Sequence, residues 1–302
     1  MSVRGRLFAA VLSLAALVAG TAWSPDGHAE ARGAEDSVQA TEPAGAAGSE
    51  THAALDADPG APAGTAPDQA AEGQPAVQTY LHPGSTSGPF RMVVIGDSLA
   101  AGLYQGLYMN DRSANLFDIQ NKARVNTGIV RTDRYNWMDG VKGYSTGDFD
   151  IAVVLLGLND LQSIRGSGRA RHFPTKEWQV AYEERVKEIL AALRDRNIAI
   201  YWAGIPITAP QRYQEQYRFL NDIYERLMKE DGVKFVNLWA PLASEDGTYS
   251  PYFETSDGNL EKIRLDDGIH FTPAGYEIMA RYVYNVIVSD VKQATAKATQ
   301  SQ

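Results

Sequence analysis

The stretch Arg91-Met92-Val93-Val94-Ile95-Gly96-Asp97-Ser98-Leu99 decides how the rest of the chain is read. Its four consecutive apolar residues suit a strand buried on both faces. Gly96 then allows a sharp turn before a helical pattern from Leu99 to Tyr108. This places the Ser98 hydroxyl at the carboxyl end of a strand and at a helix N-terminus, where backbone N–H groups and the helix dipole favour negative charge. Ser98 alone would be no more than a helix cap.

The same alternation continues outward from this segment. Apolar runs at Ile151 to Leu156, Ile198 to Ala203 and Val233 to Val236 read as strands, with a further one from Phe117 to Val125. Tyr182, Val186, Ile189, Leu190 and Leu193 recur at helical spacing, as do Phe219, Ile223, Leu227 and Met228. Strands alternating with helices predict an α/β fold with a central parallel sheet covered on both faces. Thr272 and Pro273 read as an N-cap and first helical position, starting a helix that ends near Val288 and leaves 292–302 as a polar tail. Asp257-Gly258 is a turn-forming pair between Tyr249–Glu254 and Asn259–Arg264, so a hairpin is expected at about 249–264, either as a substrate wall or facing solvent.

The first 88 residues read differently. Arg4 and Arg6 precede an apolar run from Leu7 to Trp23 and then small residues, the pattern of a secretory signal peptide over residues 1–29. Cleavage is expected after Ala29, or else after Ala22; an uncleaved anchor in the inner membrane is the alternative. Residues 30–88 are rich in Ala, Gly, Pro and acids and read as a disordered linker. They carry nine acids and one base, which leaves a net charge of −2 on residues 89–302 out of −9 for the whole chain. That near-neutrality argues against nucleic acid or an anionic membrane surface as a partner. With no cysteine in 302 residues, a disulfide scaffold, a lipoprotein anchor and a thiolate zinc site are excluded. Residues 89–291 are left as one folded domain.

Three further blocks supply what an activated serine needs. His270 can act as its base, and Asp267, three residues earlier in the same loop, can fix the imidazole tautomer. Asn159 follows the strand ending near Leu156 and can donate its side-chain amide to an oxyanion. Gly128, in Asn126-Thr127-Gly128, can offer a backbone N–H at close approach. With the Ser98 N–H this makes three donors, while Asp160 is expected to brace the loop. Arg131 is a candidate substrate-binding residue; nearby Tyr135 and Trp137 suit either a sugar face or core packing. Ala100 occupies the second glycine position of the α/β-hydrolase elbow G-x-S-x-G, which disfavours that fold.

In this order Ser98, Gly128, Asn159 and His270 match the four residues that name the SGNH (GDSL-type) hydrolases. The resemblance covers about residues 90–290. The strings Asn126-Thr127-Gly128-Ile129-Val130-Arg131 and Leu265-Asp266-Asp267-Gly268-Ile269-His270 are similar to the periplasmic bacterial subgroup catalogued as a domain of unknown function (DUF459-like). The resemblance implies a flavodoxin-like three-layer α/β/α sandwich, no metal or organic cofactor, and cleavage of small esters, often acetyl groups on carbohydrate. The expected partner is therefore an acylated carbohydrate or other small ester, with no nucleic acid and no stable membrane insertion once the leader is cleaved. Acyl transfer to a glycan hydroxyl through the same serine, or glycan binding without turnover, are the competing expectations.

Overall fold

A computed structural model describes Leu81, residues 89–166 and residues 168–300. The leader read over 1–29 lies outside the described residues, as does the linker read over 30–88 apart from Leu81. Leu81 departs from the linker reading, because its side chain is buried in the domain core. It is one of the few large apolar side chains in that stretch.

Five parallel strands form one sheet: β1 (Phe90–Gly96), β2 (Phe117–Asn121), β3 (Ile151–Leu155), β4 (Ala199–Ala203) and β5 (Lys234–Val236). Their order is β2-β1-β3-β4-β5, the flavodoxin-like doubly wound arrangement. Chain direction across the sheet reverses between β1 and β3, and ligands of open α/β sheets bind outside the carboxyl ends of the strands at such a switch point. Ser98 follows β1 and Asn159 follows β3, so the topology brings both to that crevice.

The period of two along each strand sorts the core into two layers. Met92, Val94, Ile151, Val153 and Tyr201 face α1 (Ser98–Asp111) and α5 (Pro273–Gln300). Val93, Ile95, Ala152, Val154 and Trp202 face α2 (Trp137–Lys142), α3 (Lys176–Arg194) and α4 (Gln211–Glu230). β3 and β4 are buried along their whole length, which is why they read as continuous apolar runs. The result is the three-layer α/β/α sandwich.

Two boundaries differ from the sequence reading. β2 ends at Asn121 rather than Val125: the Asn121 side chain accepts the Ala123 N–H (2.9 Å), while the Lys122 and Arg124 N–H groups still donate to the Val94 and Gly96 carbonyls of β1 (2.9 and 2.8 Å). α5 does not stop near Val288 but continues to Gln300, with Val291 and Ala294 buried against the domain. The Ala, Lys and Gln residues after Val291 are strong helix formers, so local propensity and packing agree there. The short strands β6 (Tyr252–Glu254) and β7 (Leu260–Lys262) pair antiparallel across the Asp257-Gly258 turn.

α1 and α5 approach closely where Gly106 faces α5. A Cβ there would lie 2.2 Å from the Tyr276 carbonyl oxygen and 2.7 Å from Ala280 Cβ. The first obstacle is backbone, so no rotamer change relieves it. Gly106→Ala gains about 1 kcal/mol of helix propensity but must push two packed helices apart, at ~1–3 kcal/mol. We therefore expect the substitution to lower unfolding free energy in urea denaturation; a gain in stability would show that the two helices are not held at this distance.

Candidate active site

β1 ends at Gly96, and Asp97 caps α1 by accepting the Leu99 N–H (3.0 Å). The other carboxylate oxygen of Asp97 accepts the Leu158 N–H at 3.2 Å, so one buried side chain ties the turn bearing Ser98 to the loop bearing Asn159. Burial pushes the Asp97 carboxyl up to about 7, opposed by these backbone donors. Folding raises this pKa above the unfolded value of about 4, so Asp97 burdens the folded state increasingly as pH rises through about 7 and does not do so below about 4. Sequence reading gave Asp97 no role.

Ser98 Oγ lies 2.9 Å from His270 Nε2. His270 Nδ1 lies 2.7 Å from Asp267 Oδ2, which orients the ring so that Nδ1 carries the proton toward the carboxylate and Nε2 faces the hydroxyl. Asp267 Oδ1 accepts the backbone N–H groups of Ile269 and His270, both at 2.9 Å. The hydrogen bonds from His270 and from these amides hold the Asp267 carboxyl below its usual range despite partial burial. It is therefore an anion at neutral pH.

The turn carrying this pair is anchored from inside. Arg264 is fully buried and donates to the Ile269 carbonyl (Nη1, 3.1 Å) and to the Ile207 carbonyl (Nη2, 2.6 Å). Its guanidinium stacks 3.5 Å over the Phe271 ring, and burial pulls its pKa down to about 10. The Gly268 carbonyl accepts the Ala209 N–H at 2.8 Å, a second tie to the loop after β4. Arg264 was missed in the sequence, where it looks like one more charge at the end of a polar hairpin.

The loop containing Gly128 is held just as firmly. Asp160, fully buried, accepts the N–H groups of Ile129 and Val130 (both 3.0 Å) and the Tyr182 hydroxyl (2.8 Å). Asp160 thus braces the loop, and a Cβ on Gly128 would fall 2.2 Å from its Oδ1, so this carboxylate requires glycine there. The Tyr182 hydroxyl sits 2.5 Å from that of Tyr224, which in turn reaches the Leu156 carbonyl (3.2 Å). Burial raises both phenols well above their usual range, so they remain donors. Asn159 Nδ2 donates to the Thr127 carbonyl at 2.7 Å, which fixes the amide and leaves its second hydrogen for another acceptor. Among the described residues the Gly128 N–H donates to no protein group.

Ser98, Asp267 and His270 therefore meet in a hydrogen-bonded chain, and Asn159 meets the Gly128 loop. The Arg131 guanidinium forms a two-point pair with Asp133 (2.9 and 3.0 Å). Trp137 is buried, donates to Thr127 Oγ1 (3.0 Å) and packs edge-on to Tyr135. It belongs to the core and not to a sugar-facing platform. The cavity of about 430 Å³ beside the hairpin is lined by Ala243, Ser244, Glu245, Tyr252, Phe253 and Leu260 among others, and by none of the residues above.

Removing the phenol that bonds the buried carboxylate tests this bracing. Tyr182→Phe should lower unfolding free energy by about 1.5–3 kcal/mol in urea, the usual value of a hydrogen bond to a charged group; an unchanged midpoint would mean that the Asp160 carboxylate does not depend on it.

Solved structures similar to this chain include a GDSL-like lipase from Bacteroides thetaiotaomicron (15% identity, 66% of this chain and 88% of the other, TM-score 0.47). Another is a carbohydrate esterase family 3 protein from Talaromyces cellulolyticus (14%, 68% and 99%, TM-score 0.45). A third is a lipolytic protein of the G-D-S-L family from Veillonella parvula (13%, 66% and 98%, TM-score 0.48). A search of curated protein sequences finds no match. Residues 91–286, from the start of β1 into α5, match the family model described as Protein of unknown function (DUF459), and the chain belongs to that family.

Proposed function

We propose that this protein is a serine esterase that hydrolyses small O-acyl esters, acetyl esters first among them, on an envelope or extracellular carbohydrate. The observation that carries the reading is the run of two contacts from Asp267 through His270 to Ser98, at 2.7 and 2.9 Å. A serine hydroxyl is a weak nucleophile until a base takes its proton, and these distances lie within the reach a catalytic base requires. The resemblance of the four blocks to SGNH hydrolases supports acetyl groups on carbohydrate. The basic and apolar pattern of residues 1–29 supports export to the periplasm. Among the described residues, no helix is long and apolar enough to cross a membrane.

In this reading Ser98 Oγ attacks the ester carbonyl carbon while its proton passes to His270 Nε2. Asp267, ionised and fixed by two backbone donors, stabilises the imidazolium that forms. The carbonyl oxygen becomes an oxyanion that accepts the N–H groups of Ser98 and Gly128 and the free amide hydrogen of Asn159. Collapse breaks the bond to the leaving alcohol, which takes the proton from His270 and departs. Water then attacks the acyl-serine with His270 again as base, releasing the carboxylic acid and restoring Ser98.

Purified protein should hydrolyse p-nitrophenyl acetate, and Ser98→Ala should abolish turnover; equal rates in the two proteins would overturn the proposal. Asn159→Ala removes one oxyanion donor and should reduce kcat by about 100-fold, ~3 kcal/mol, with KM little changed. A change in KM alone, measured by steady-state kinetics, would assign the amide to ground-state binding instead.

A further inference from the structure

The near-neutral charge of the domain conceals a strongly uneven distribution. Between Asp160 and Glu177 the chain holds Arg165, Arg169, Arg171 and Lys176 and no acid. All four are exposed, and among the described residues none has a carboxylate within ion-pair distance. Arg169, Arg171 and His172 line a cavity of about 440 Å³ together with Ala170, Thr175 and Glu177.

This segment is tied to the loop that bears Asn159. The Gln162 N–H donates to the Asp160 carbonyl (2.7 Å), and the Gln162 carbonyl accepts Trp178 Nε1 (2.8 Å). Ile164 and Arg171 then exchange both backbone hydrogen bonds, at 2.9 and 3.0 Å, which closes the excursion on itself. Ile164 lies five positions beyond Asn159, so the two are at most about 18 Å apart along an extended chain. A second route leads back to the site through Arg185, whose Nη1 donates to the Ile129 carbonyl, next to Gly128 (3.0 Å). Arg171 is close enough to Arg185 to help burial lower that guanidinium's pKa.

Resting on the esterase reading, we propose that Arg169 and Arg171, with His172 and Lys176, form an accessory subsite for the carboxylate groups of an anionic polysaccharide whose ester is presented to Ser98. A polymer chain held at Ser98 must run out over the neighbouring surface, and this surface presents planar guanidinium forks suited to carboxylates. A lipid surface fits less well. Val180 is the exposed large apolar side chain beside Arg171 and Lys176, whereas membrane-binding surfaces add a broad apolar face to their cations.

The test compares the full-length protein with Arg169→Glu/Arg171→Glu on three substrates: p-nitrophenyl acetate, acetylated polygalacturonate and acetylated xylan. The double variant should raise KM for acetylated polygalacturonate by about tenfold and leave p-nitrophenyl acetate and acetylated xylan within about twofold, since attraction between exposed charges acts over roughly a Debye length. The milder Arg169→Gln/Arg171→Gln, with an unchanged melting temperature, should move KM in the same direction by less. An unchanged KM on acetylated polygalacturonate, or an equal loss on all three substrates, overturns the subsite. Binding is read separately in the Ser98→Ala background by affinity electrophoresis through polygalacturonate, so absence of turnover would count against the esterase reading while this arm still decides the subsite. Retention there should weaken in the double variant. Equal retention, or binding to phosphatidylglycerol vesicles in place of the polysaccharide, contradicts the proposal.

Discussion

The 2.9 Å contact between Ser98 Oγ and His270 Nε2 joins residues 172 positions apart, and two packed helices deliver its two ends. Ser98 opens α1, and α5 begins three residues after His270. The two helices lie on the same face of the sheet and pack through the small surface at Gly106, so their N-terminal ends, and the side chains delivered there, sit side by side. A shift of one helix along the other would part the hydroxyl from the imidazole. The close backbone approach of the two helices therefore does more than fill space, because it sets the length of a hydrogen bond at their ends.

Around this contact the fold accepts the cost of burying charge. Asp97 and Asp160 are both buried and accept main-chain N–H groups, Asp160 from another loop and Asp97 from both its own turn and another loop. Asp97 links the Ser98 turn to Leu158, and Asp160 links the Asn159 loop to Ile129 and Val130. Arg264 plays the corresponding part on the third loop through the carbonyls of Ile207 and Ile269. Each of the three thus ties together two backbone segments distant in sequence. Buried polar groups of this kind are costly when half satisfied and rigidifying when satisfied. Rigid loops suit a site whose donors must already be aimed before a charge develops.

The sequence discloses these layers unequally. Buried strands such as Ile151–Leu155 announce themselves because both faces are apolar, and Thr272-Pro273 marks the start of α5 because capping chemistry is local: Thr272 Oγ1 accepts the Gly275 N–H at 3.1 Å. Ser98 and Asn159 stand out because each follows a readable strand, and His270 because its short block leads into a readable helix start. The far end of α5 was less clear, since apolar periodicity fades after Val288 while helix propensity does not. Arg264 and Tyr224 give no signal, and Tyr182 gives only a packing one. Tyr182 looks like any core position of an amphipathic helix, and only the folded chain shows its hydroxyl meeting Asp160 beneath the Gly128 loop. Trp137 illustrates the reverse, an aromatic beside a candidate site whose indole is turned into the core.

The central claim is that Ser98 itself becomes acylated, and rapid chemical quenching during turnover of an acetyl ester, followed by peptide mass spectrometry, tests it most directly. The account predicts the mass of one acetyl group on the peptide containing Ser98, absent when His270 is replaced by alanine. Turnover with no acyl group on that peptide, or acylation confined to another residue, would contradict it.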